Sequence, residues 1–465
     1  MARIGLLPLA RATFDVAYAE ELYGTLRRGL VESGHELVGG QTLLFDAAAA
    51  EAALSALEGK KLDLLLIIQV TFTDATMTVK IADAGLAPLA IWAFPEPRSG
   101  GRLRLNSFCG LNLAAHALGL GGQAFSWAYA SPDSADAARI IDDILAGRRL
   151  ATPNAPVAAQ AAAPDRLAAR AVLDRISGRR IGRIGIRPEG FHTCDYDADE
   201  LDRLVGISVE PIALESLFET ARAAPAHAVS AAHDEASATL DDLATVDQEQ
   251  LDRSLRLRAA LEAMQCEGNY SAFAVRCWPE MFTVYGGAAC GPAGMMGERR
   301  VPCACEADVH GSVTNLILQE ITGDAAFLVD LVDLDRADDT GVVWHCGQAP
   351  VSMRDPEVKP TTTVHSNRKM PLLFEFPLKP GRVTLARLSR ARGRTSLVIA
   401  GGEMIRRPLA FSGTAGVLRF DVPIGQVEAA IVGCGLEHHV SLVYGDHRDK
   451  LVALAAEMGL PVLSF

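Results

Sequence analysis

Arg3-Ile4-Gly5-Leu6-Leu7-Pro8-Leu9, the first apolar run of the chain, predicts a buried β-strand. A helical pattern follows from Tyr18 to Ser33, and two further apolar runs, at 62–69 and 86–92, flank a second helical stretch at 76–84. Strands that alternate with helices are typical of parallel strands joined by helical crossovers. The sequence therefore predicts that residues 1–150 form a doubly wound α/β domain.

A change of composition marks the end of this first unit. The stretch from Ala151 to Ala171 is rich in alanine and proline, which predicts a linker. Residues 183–188 then repeat the pattern of the N-terminus, a strand that runs into a Gly/Pro loop, and the pattern at 247–264 is helical. Two similar folds in tandem are the expected result, with 151–300 as the second α/β domain.

Short β-type runs dominate the remainder of the chain. Gly, Asp or Arg turns separate them, which is the pattern of an antiparallel sheet or barrel. The expected strands are 326–334, 341–345, 382–388, 394–400 and 417–422, followed by a helix at 446–458 and a strand at 461–465. Residues 301–465 are therefore predicted to form a mixed, β-rich and barrel-like third domain.

Length and charge limit the possible functions. A chain of 465 residues can form several cores without disulfides, and its nine scattered cysteines predict reduced thiols in a cytoplasmic protein. The net charge of -13 argues against nucleic acid or an anionic membrane as a partner. The apolar run 62–70 is too short to span a membrane, and Arg11 interrupts the N-terminal run before it could serve as a signal peptide.

Three side chains far apart in the sequence form a candidate metal site. Glu280 follows the strand-like run 272–277, which predicts a position at the mouth of a sheet. Asp308 lies between a strand-like and a helical run, and His439 lies beside His438 between two apolar strands. Two carboxylates and an imidazole suit a divalent cation such as Mn²⁺, with positions left open for substrate oxygens. A surface glutamate, a helix cap and a core histidine are the simpler interpretations.

Neighbours of these residues are further candidates. Glu306 and Asp308 would face the same side of an extended segment, where a cation would relieve their repulsion. Adjacent strand residues point to opposite faces, so only one of His438 and His439 is expected to reach the site. The chain has no Gly-x-Gly-x-x-Gly after the first strand, no Walker loop and no Gly-x-Ser-x-Gly elbow, which leaves nucleotide binding and serine nucleophiles without support. The remaining candidates, for substrate hydroxyls or the metal's surroundings, are His310 and His345.

At these positions the sequence resembles the L-fucose isomerase and L-arabinose isomerase family, over nearly the whole chain. The family's two Rossmann-like doubly wound α/β domains and β-rich C-terminal domain agree with the patterns above. The chain is shorter than a typical fucose isomerase, so substrate-covering loops are expected to differ. The matching segments are Trp278-Pro279-Glu280, Glu306 to Gly311, His439, Asn106 to Gly110 and Arg187 to Phe191.

The resemblance implies a Mn²⁺-dependent aldose–ketose isomerase that acts on a pentose, deoxyhexose or related sugar through a cis-enediol. Glu280, Asp308 and His439 would hold the metal, and the two acids would also move the proton between C1 and C2. The resemblance also implies a homo-oligomer with sites near subunit contacts. The expected substrate contacts are Trp278, Glu306, His310, His345, His438 and Asn106.

Two other functions are compatible with the same residues. A lyase, hydrolase or carboxyl-transfer enzyme on an oxidised or branched keto-sugar would use the same metal-stabilised enediolate. A non-catalytic sugar-binding protein would also use tandem α/β domains around a cleft, but it would not need three ligands for one cation. Metal analysis of the purified protein would separate the binding protein from the enzymes.

Overall fold

A parallel five-stranded sheet forms the N-terminal third of the computed structural model, which describes residues 1–465. Its strand order is β2-β1-β3-β4-β5, the order of a doubly wound sheet with helical crossovers. The strands are β1 (Arg3–Leu9), β2 (Glu36–Gly39), β3 (Leu64–Gln69), β4 (Leu89–Ala93) and β5 (Phe125–Tyr129). The helices are α1 (Val16–Glu32), α2 (Ala47–Leu57), α3 (Thr76–Asp83), α4 (Ser107–Leu120) and α5 (Ala137–Leu145).

The stretch predicted to be a linker is partly folded. Strand β6 (Val157–Ala158) pairs with residues 461–462, and helix α6 (Ala163–Ile176) includes the last part of the alanine-rich segment. Pro164 lies in the first turn of α6, where a missing N–H costs no helical hydrogen bond. Alanine is the strongest helix former, so the composition that indicated a linker also favours a helix.

A second parallel sheet follows, with four strands in the order β10-β9-β7-β8. The strands are β7 (Arg180–Ile184), β8 (Ser208–Ile212), β9 (Tyr270–Val275) and β10 (Cys303–Ala304). The helices are α7 (Ala198–Val205), α8 (Leu214–Arg222), α9 (Ala226–Ser237), α10 (Gln248–Gly268) and α11 (Cys290–Glu298). Local signals set their ends: Asp197 caps α7 by accepting from the Glu200 N–H, and Gly206 ends it at φ +65°.

The C-terminal region is rich in strands, as predicted, and contains most of a ten-stranded sheet. Its strands are β11 (Phe327–Asp335), β12 (Thr340–His345), β13 (Thr361–Thr363), β14 (Leu373–Pro377), β15 (Gly381–Ser389), β16 (Ser396–Ile405), β17 (Thr414–Phe420), β18 (His439–Tyr444) and β19 (Pro461–Ser464). Its helices are α12 (Val309–Thr322), α13 (Ile424–Cys434) and α14 (Arg448–Met458). Strands β12, β11, β18, β15, β16 and β17 pair in a closed antiparallel ring.

Helix α4 joins the first sheet to this region. It is buried from Ser107 to Gly119, and its Phe108 and Leu111 belong to the same hydrophobic core as Leu331 of β11. The amide of Asn112 donates to the Leu436 carbonyl oxygen at 2.6 Å. The N-terminal unit therefore supports the turn just before the two adjacent histidines. No helix in the structure combines the length and the apolar character that crossing a membrane requires.

Candidate active site

One cavity lies where the three sheets meet. The first sheet contributes segments that follow the carboxyl ends of β1 and β3, and the second contributes segments after β9 and β10. Carboxyl ends of parallel strands are where ligands collect in open α/β sheets. The polar residues that line the cavity include Arg11, Asn106, Glu306, Asp330, His345, His365, Arg368 and His438.

The His439 ring is the centre of the polar cluster beside this cavity. Its Nε2 atom lies 3.0 Å from Oε2 of Glu306 and 3.5 Å from Oδ1 of Asp330. Nevertheless, the buried Nε2 and Asp330 Oδ1 atoms have no hydrogen-bond partner. Leaving a buried polar atom unsatisfied costs about 1–3 kcal/mol. Two carboxylates and one imidazole thus converge with unsatisfied ligand atoms.

Strand register brings Asp330 to this histidine. Strands β11 and β18 are antiparallel, and Asp330 lies directly opposite His439. Residues directly opposite in such a pair project their side chains to the same face, at a Cβ separation of about 4.5–5.5 Å. Their meeting is therefore a property of the backbone pairing.

Asp308 faces the other nitrogen of the His439 ring. Its Oδ2 lies 2.9 Å from Nδ1 of His439, and Arg387 donates to both carboxylate oxygens at 2.6 and 3.1 Å. Oδ1 also accepts from the Gly311 N–H at 2.9 Å, so Asp308 caps α12. An ionised carboxylate only accepts, which places a proton on Nδ1. Burial would lower the pKa of His439, but the charge of Glu306 and the hydrogen bond with Asp308 outweigh burial and hold it well above its ordinary value, so the ring is charged. A cation bound at Nε2, the atom directed at Glu306 and Asp330, would displace the second proton. Asp308 therefore orients the histidine.

The pKa values of the two carboxyls at Nε2 are driven apart. Burial raises the pKa of Asp330, and the charge of Glu306 adds to that effect. Burial acts in the same direction on Glu306, but the charge of His439 and hydrogen bonds with His438 and His439 outweigh it and hold its pKa well below the ordinary value. Paired carboxyls with separated pKa values suit one acid and one base.

His345 and His438 flank the cluster in defined protonation states. The Cys346 N–H donates to Nδ1 of His345 at 2.9 Å, which places the proton of the neutral ring on its unpartnered Nε2. Burial and repulsion from His439 lower the pKa of His345 to about 3, so this ring stays neutral. Burial likewise lowers the pKa of His438 to about 4, and its Nε2 lies 3.3 Å from Oε2 of Glu306. Both rings are neutral hydrogen-bonding groups.

The backbone at Glu306 has an unusual conformation. Glu306 and Ala307 have φ angles of +54° and +57°, in the left-handed region that side chains other than glycine disfavour. Such residues cost on the order of 1–3 kcal/mol and cluster at functional sites. The indole N–H of Trp278 lies 3.3 Å from Oε1 of Glu306 and helps to hold the carboxylate.

Glu280 lies outside this cluster. Arg276 binds both of its oxygens, at 2.6 and 2.8 Å, and its side chain remains 34% exposed. The residue neither lines the cavity nor belongs to a group of converging ligand atoms. Because the guanidinium four residues earlier captures the carboxylate, the structure brings only Asp308 and His439 of the predicted triad together.

The other sequence candidates divide between the cavity and the core. Trp278, Glu306, His345, His438 and Asn106 all line the cavity. His310 does not line it, because its Nδ1 lies 2.9 Å from the Leu388 carbonyl oxygen within the core.

Two residues near the ligand atoms were not among the sequence candidates. Asp330 carries a sequence signal, since an acid in the middle of an apolar strand is rarely buried without a partner. The Cys194 sulfur also lies near Glu306 and the two adjacent histidines. Burial raises the pKa of this thiol to about 12, so it remains protonated and a poor partner for a hard cation.

Comparison with known proteins gives related enzymes along the whole chain. A family model described as the N-terminal domain of fucose/sulfoquinovose isomerase matches residues 5–152. A sulfoquinovose isomerase from Priestia aryabhattai is 27% identical over 455 residues, which cover 98% of this chain and 97% of that protein. Sulfoquinovose isomerases from Alkalicoccus urumqiensis and Clostridium sp. (strain MSTE9) are both 28% identical, and the alignments cover 100% and 97% of this chain and 99% and 97% of those proteins.

Proposed function

Because this chain belongs to the fucose-isomerase-like family, we propose that it is a metal-dependent aldose–ketose isomerase whose substrate is sulfoquinovose or a closely related sugar sulfonate. The reaction type is supported by relatives that match over nearly their full length. The substrate is carried over from the names of those relatives. Sulfoquinovose is glucose with a sulfonate in place of the 6-hydroxyl, so the isomerisation would take place at its C1 and C2.

Glu306, Asp330 and His439 are the proposed metal ligands. They replace the sequence-based set because Glu280 is bound by Arg276 and Asp308 supports the far side of the His439 ring. The unsatisfied Nε2 and Asp330 Oδ1 atoms carry this assignment. Two hard oxygen donors and one imidazole suit Mn²⁺, which is the proposed cation. When bound, such an ion polarises the substrate's oxygens and stabilises negative charge that develops on them.

The side chains of the cluster supply the proton transfers. Ionised Glu306 would take the proton from C2 of the open-chain aldose and return it to C1, while Asp330 would move the hydroxyl proton from O2 to O1 through a cis-enediol. The C–H bond broken at C2 is thus replaced by one formed at C1, and the O–H bond broken at O2 by one formed at O1. The Nε2–H of neutral His345 is a donor that would hold a substrate hydroxyl.

The test is exchange of the C2 proton with solvent, followed by NMR in D₂O with sulfoquinovose. Wild-type protein with Mn²⁺ should catalyse exchange and turnover, and removal of the metal should abolish both. Glu306→Gln and Asp330→Asn should each lower kcat by about 10²–10⁴-fold, the usual contribution of an acid or base. Glu280→Gln is the matched control and should retain activity within about twofold, because Glu280 does not line the cavity and its carboxylate is bound by Arg276.

The opposite result would reverse the assignment. Loss of activity and metal in Glu280→Gln, with Glu306→Gln unaffected, would restore the ligands expected from the sequence. Tight sugar binding by wild type without metal or turnover would instead support a non-catalytic binding protein. The predicted homo-oligomer, the cytoplasmic location and the division at residues 150 and 300 stay predictions.

A further inference from the structure

Two arginine side chains line the same cavity as the acid and histidine cluster. Arg11 follows the carboxyl end of β1, and its guanidinium carbon lies 5.2 Å from the ring centroid of Phe72 and 5.1 Å from that of Trp278. Its one carboxylate partner is Asp74, at 2.5 Å. The aromatic rings and this ion pair hold the guanidinium in place.

Arg368 adds a second positive charge. The N–H groups of Asn367 and Arg368 donate to Nδ1 of His365 at 3.2 and 3.3 Å, which fixes the turn that carries Arg368 into the cavity lining. The side chain of Arg368 makes no hydrogen bond or ion pair within the chain. Arg11 and Arg368 line the same cavity, where burial lowers the pKa of Arg11 and repulsion from Arg368 contributes to the decrease. Two guanidinium groups thus line one cavity, and of the two only Arg11 has a carboxylate partner.

Trp278 connects this cationic region to the reaction site. One face of its indole lies against Arg11, and its N–H is 3.3 Å from Oε1 of Glu306. Arg11 and Glu306 are therefore separated by about the width of one indole ring. A single hexose chain bound with C1 and C2 at the carboxylates would extend its C6 end toward the arginines.

We propose that Arg11 and Arg368 form the subsite for the anionic group at C6 of the substrate, a sulfonate. Guanidinium groups donate paired N–H bonds to tetrahedral oxyanions, and Arg368 has all of its side-chain donors available. The charge of Asp74 neutralises one arginine, so a monoanionic sulfonate neutralises the second. The subsite rests on the proposed function, since it assumes a sugar substrate at the cluster.

Paired substrates test the subsite in the Mn²⁺-loaded full-length protein. Sulfoquinovose is compared with quinovose, which carries a methyl group at the same position and lacks only the sulfonate. Arg368→Gln should lower kcat/KM for sulfoquinovose by about 10- to 100-fold, mainly through KM, because charge-assisted hydrogen bonds are lost. Its kcat/KM for quinovose should change by less than about twofold, since quinovose lacks the sulfonate that the Arg368 guanidinium would bind. Arg11→Lys keeps the positive charge but removes the paired N–H donors of the guanidinium group. Its kcat/KM for sulfoquinovose should therefore decrease selectively, but by less than in Arg368→Gln.

A surface variant and a second anion complete the design. Arg203→Gln removes a cation whose side chain is 72% exposed and should leave both substrates unaffected. An equal loss for both sugars in Arg368→Gln, or no loss, would overturn the subsite. Faster turnover of glucose 6-phosphate than of sulfoquinovose would overturn sulfonate as its ligand.

A failure of the proposed function would be visible separately. If wild-type protein turns over neither sugar, thermal unfolding with added sulfoquinovose decides the subsite. A rise in Tm that Arg368→Gln removes and Arg203→Gln keeps would support the subsite without the isomerase activity. No rise in wild type would refute both.

Discussion

Replacing Asp308 by asparagine tests whether this acid binds the metal or supports His439. The carboxylate accepts from the Gly311 N–H, from Arg387 twice, and from Nδ1 of His439. Asparagine keeps one oxygen for Gly311 and one Arg387 contact, but its NH₂ group then faces His439 and the other Arg387 N–H. Because a donor now faces Nδ1, the ring proton should move to Nε2, the atom directed at Glu306 and Asp330.

Two effects of Asp308→Asn are expected, one on the affinity for metal and one on the stability of the protein. Disturbing an orienting partner of a metal-bound histidine typically lowers metal affinity by about 10- to 100-fold. Breaking a buried ion pair costs about 3–5 kcal/mol, and the two retained contacts of asparagine favour the lower end, about 3 kcal/mol. A domain with a stability of about 5–15 kcal/mol would still fold.

Mn²⁺ titration calorimetry and urea unfolding in the presence of chelator measure the two effects separately. Glu280→Gln is the control, and it should change stability by less than about 1 kcal/mol because its ion pair with Arg276 is one-third exposed. Wild-type Mn²⁺ affinity in Asp308→Asn would refute the orienting role. Complete loss of Mn²⁺ binding, equal to that of Asp330→Asn, would show that Asp308 is itself a ligand.

Three further outcomes are expected for the supporting contacts, each measured by urea unfolding of metal-free protein. Arg387→Met should destabilise the protein by about 3–5 kcal/mol, because Asp308 and Glu437 lose a buried counter-ion, and a cost below about 1 kcal/mol would contradict this. Asn112→Ala should cost about 1–3 kcal/mol, because the Leu436 carbonyl loses its donor, and unchanged stability would contradict this. Burial would raise the pKa of Glu437, but opposing charges, chiefly that of Arg387, outweigh burial and hold the pKa below its ordinary value of 4.5. As pH falls, the Glu437 carboxylate is therefore protonated in the unfolded chain before it is protonated in the folded protein. Stability should therefore decrease below about pH 4.5, and Glu437→Gln should decrease the slope; an unchanged slope would exclude this carboxyl as a source.

Local sequence signals predicted most of the individual elements. The expected strand at 3–9 matches β1, and the expected helix at 446–458 corresponds to α14 (Arg448–Met458). These features depend on neighbouring residues alone, so the pattern of the chain suffices. The alanine-rich stretch was predicted to be a linker, but part of it forms α6. That helix is stabilised by packing of its buried side chains as well as by its alanine content, and packing cannot be seen in the composition.

The sequence by itself determined the kind of site, two acids with a histidine, and it named Glu306 and His439 among the residues of that site. From the sequence, Glu280 was an expected metal ligand and Glu306 only a substrate contact, because no pattern along the chain records which acid reaches His439. Tertiary structure decided between them: Arg276 binds Glu280, and the β11–β18 register places Asp330 opposite His439. The reason is physical: β11 and β18 are more than one hundred residues apart in the chain, so no local pattern records the pairing that brings Asp330 to His439.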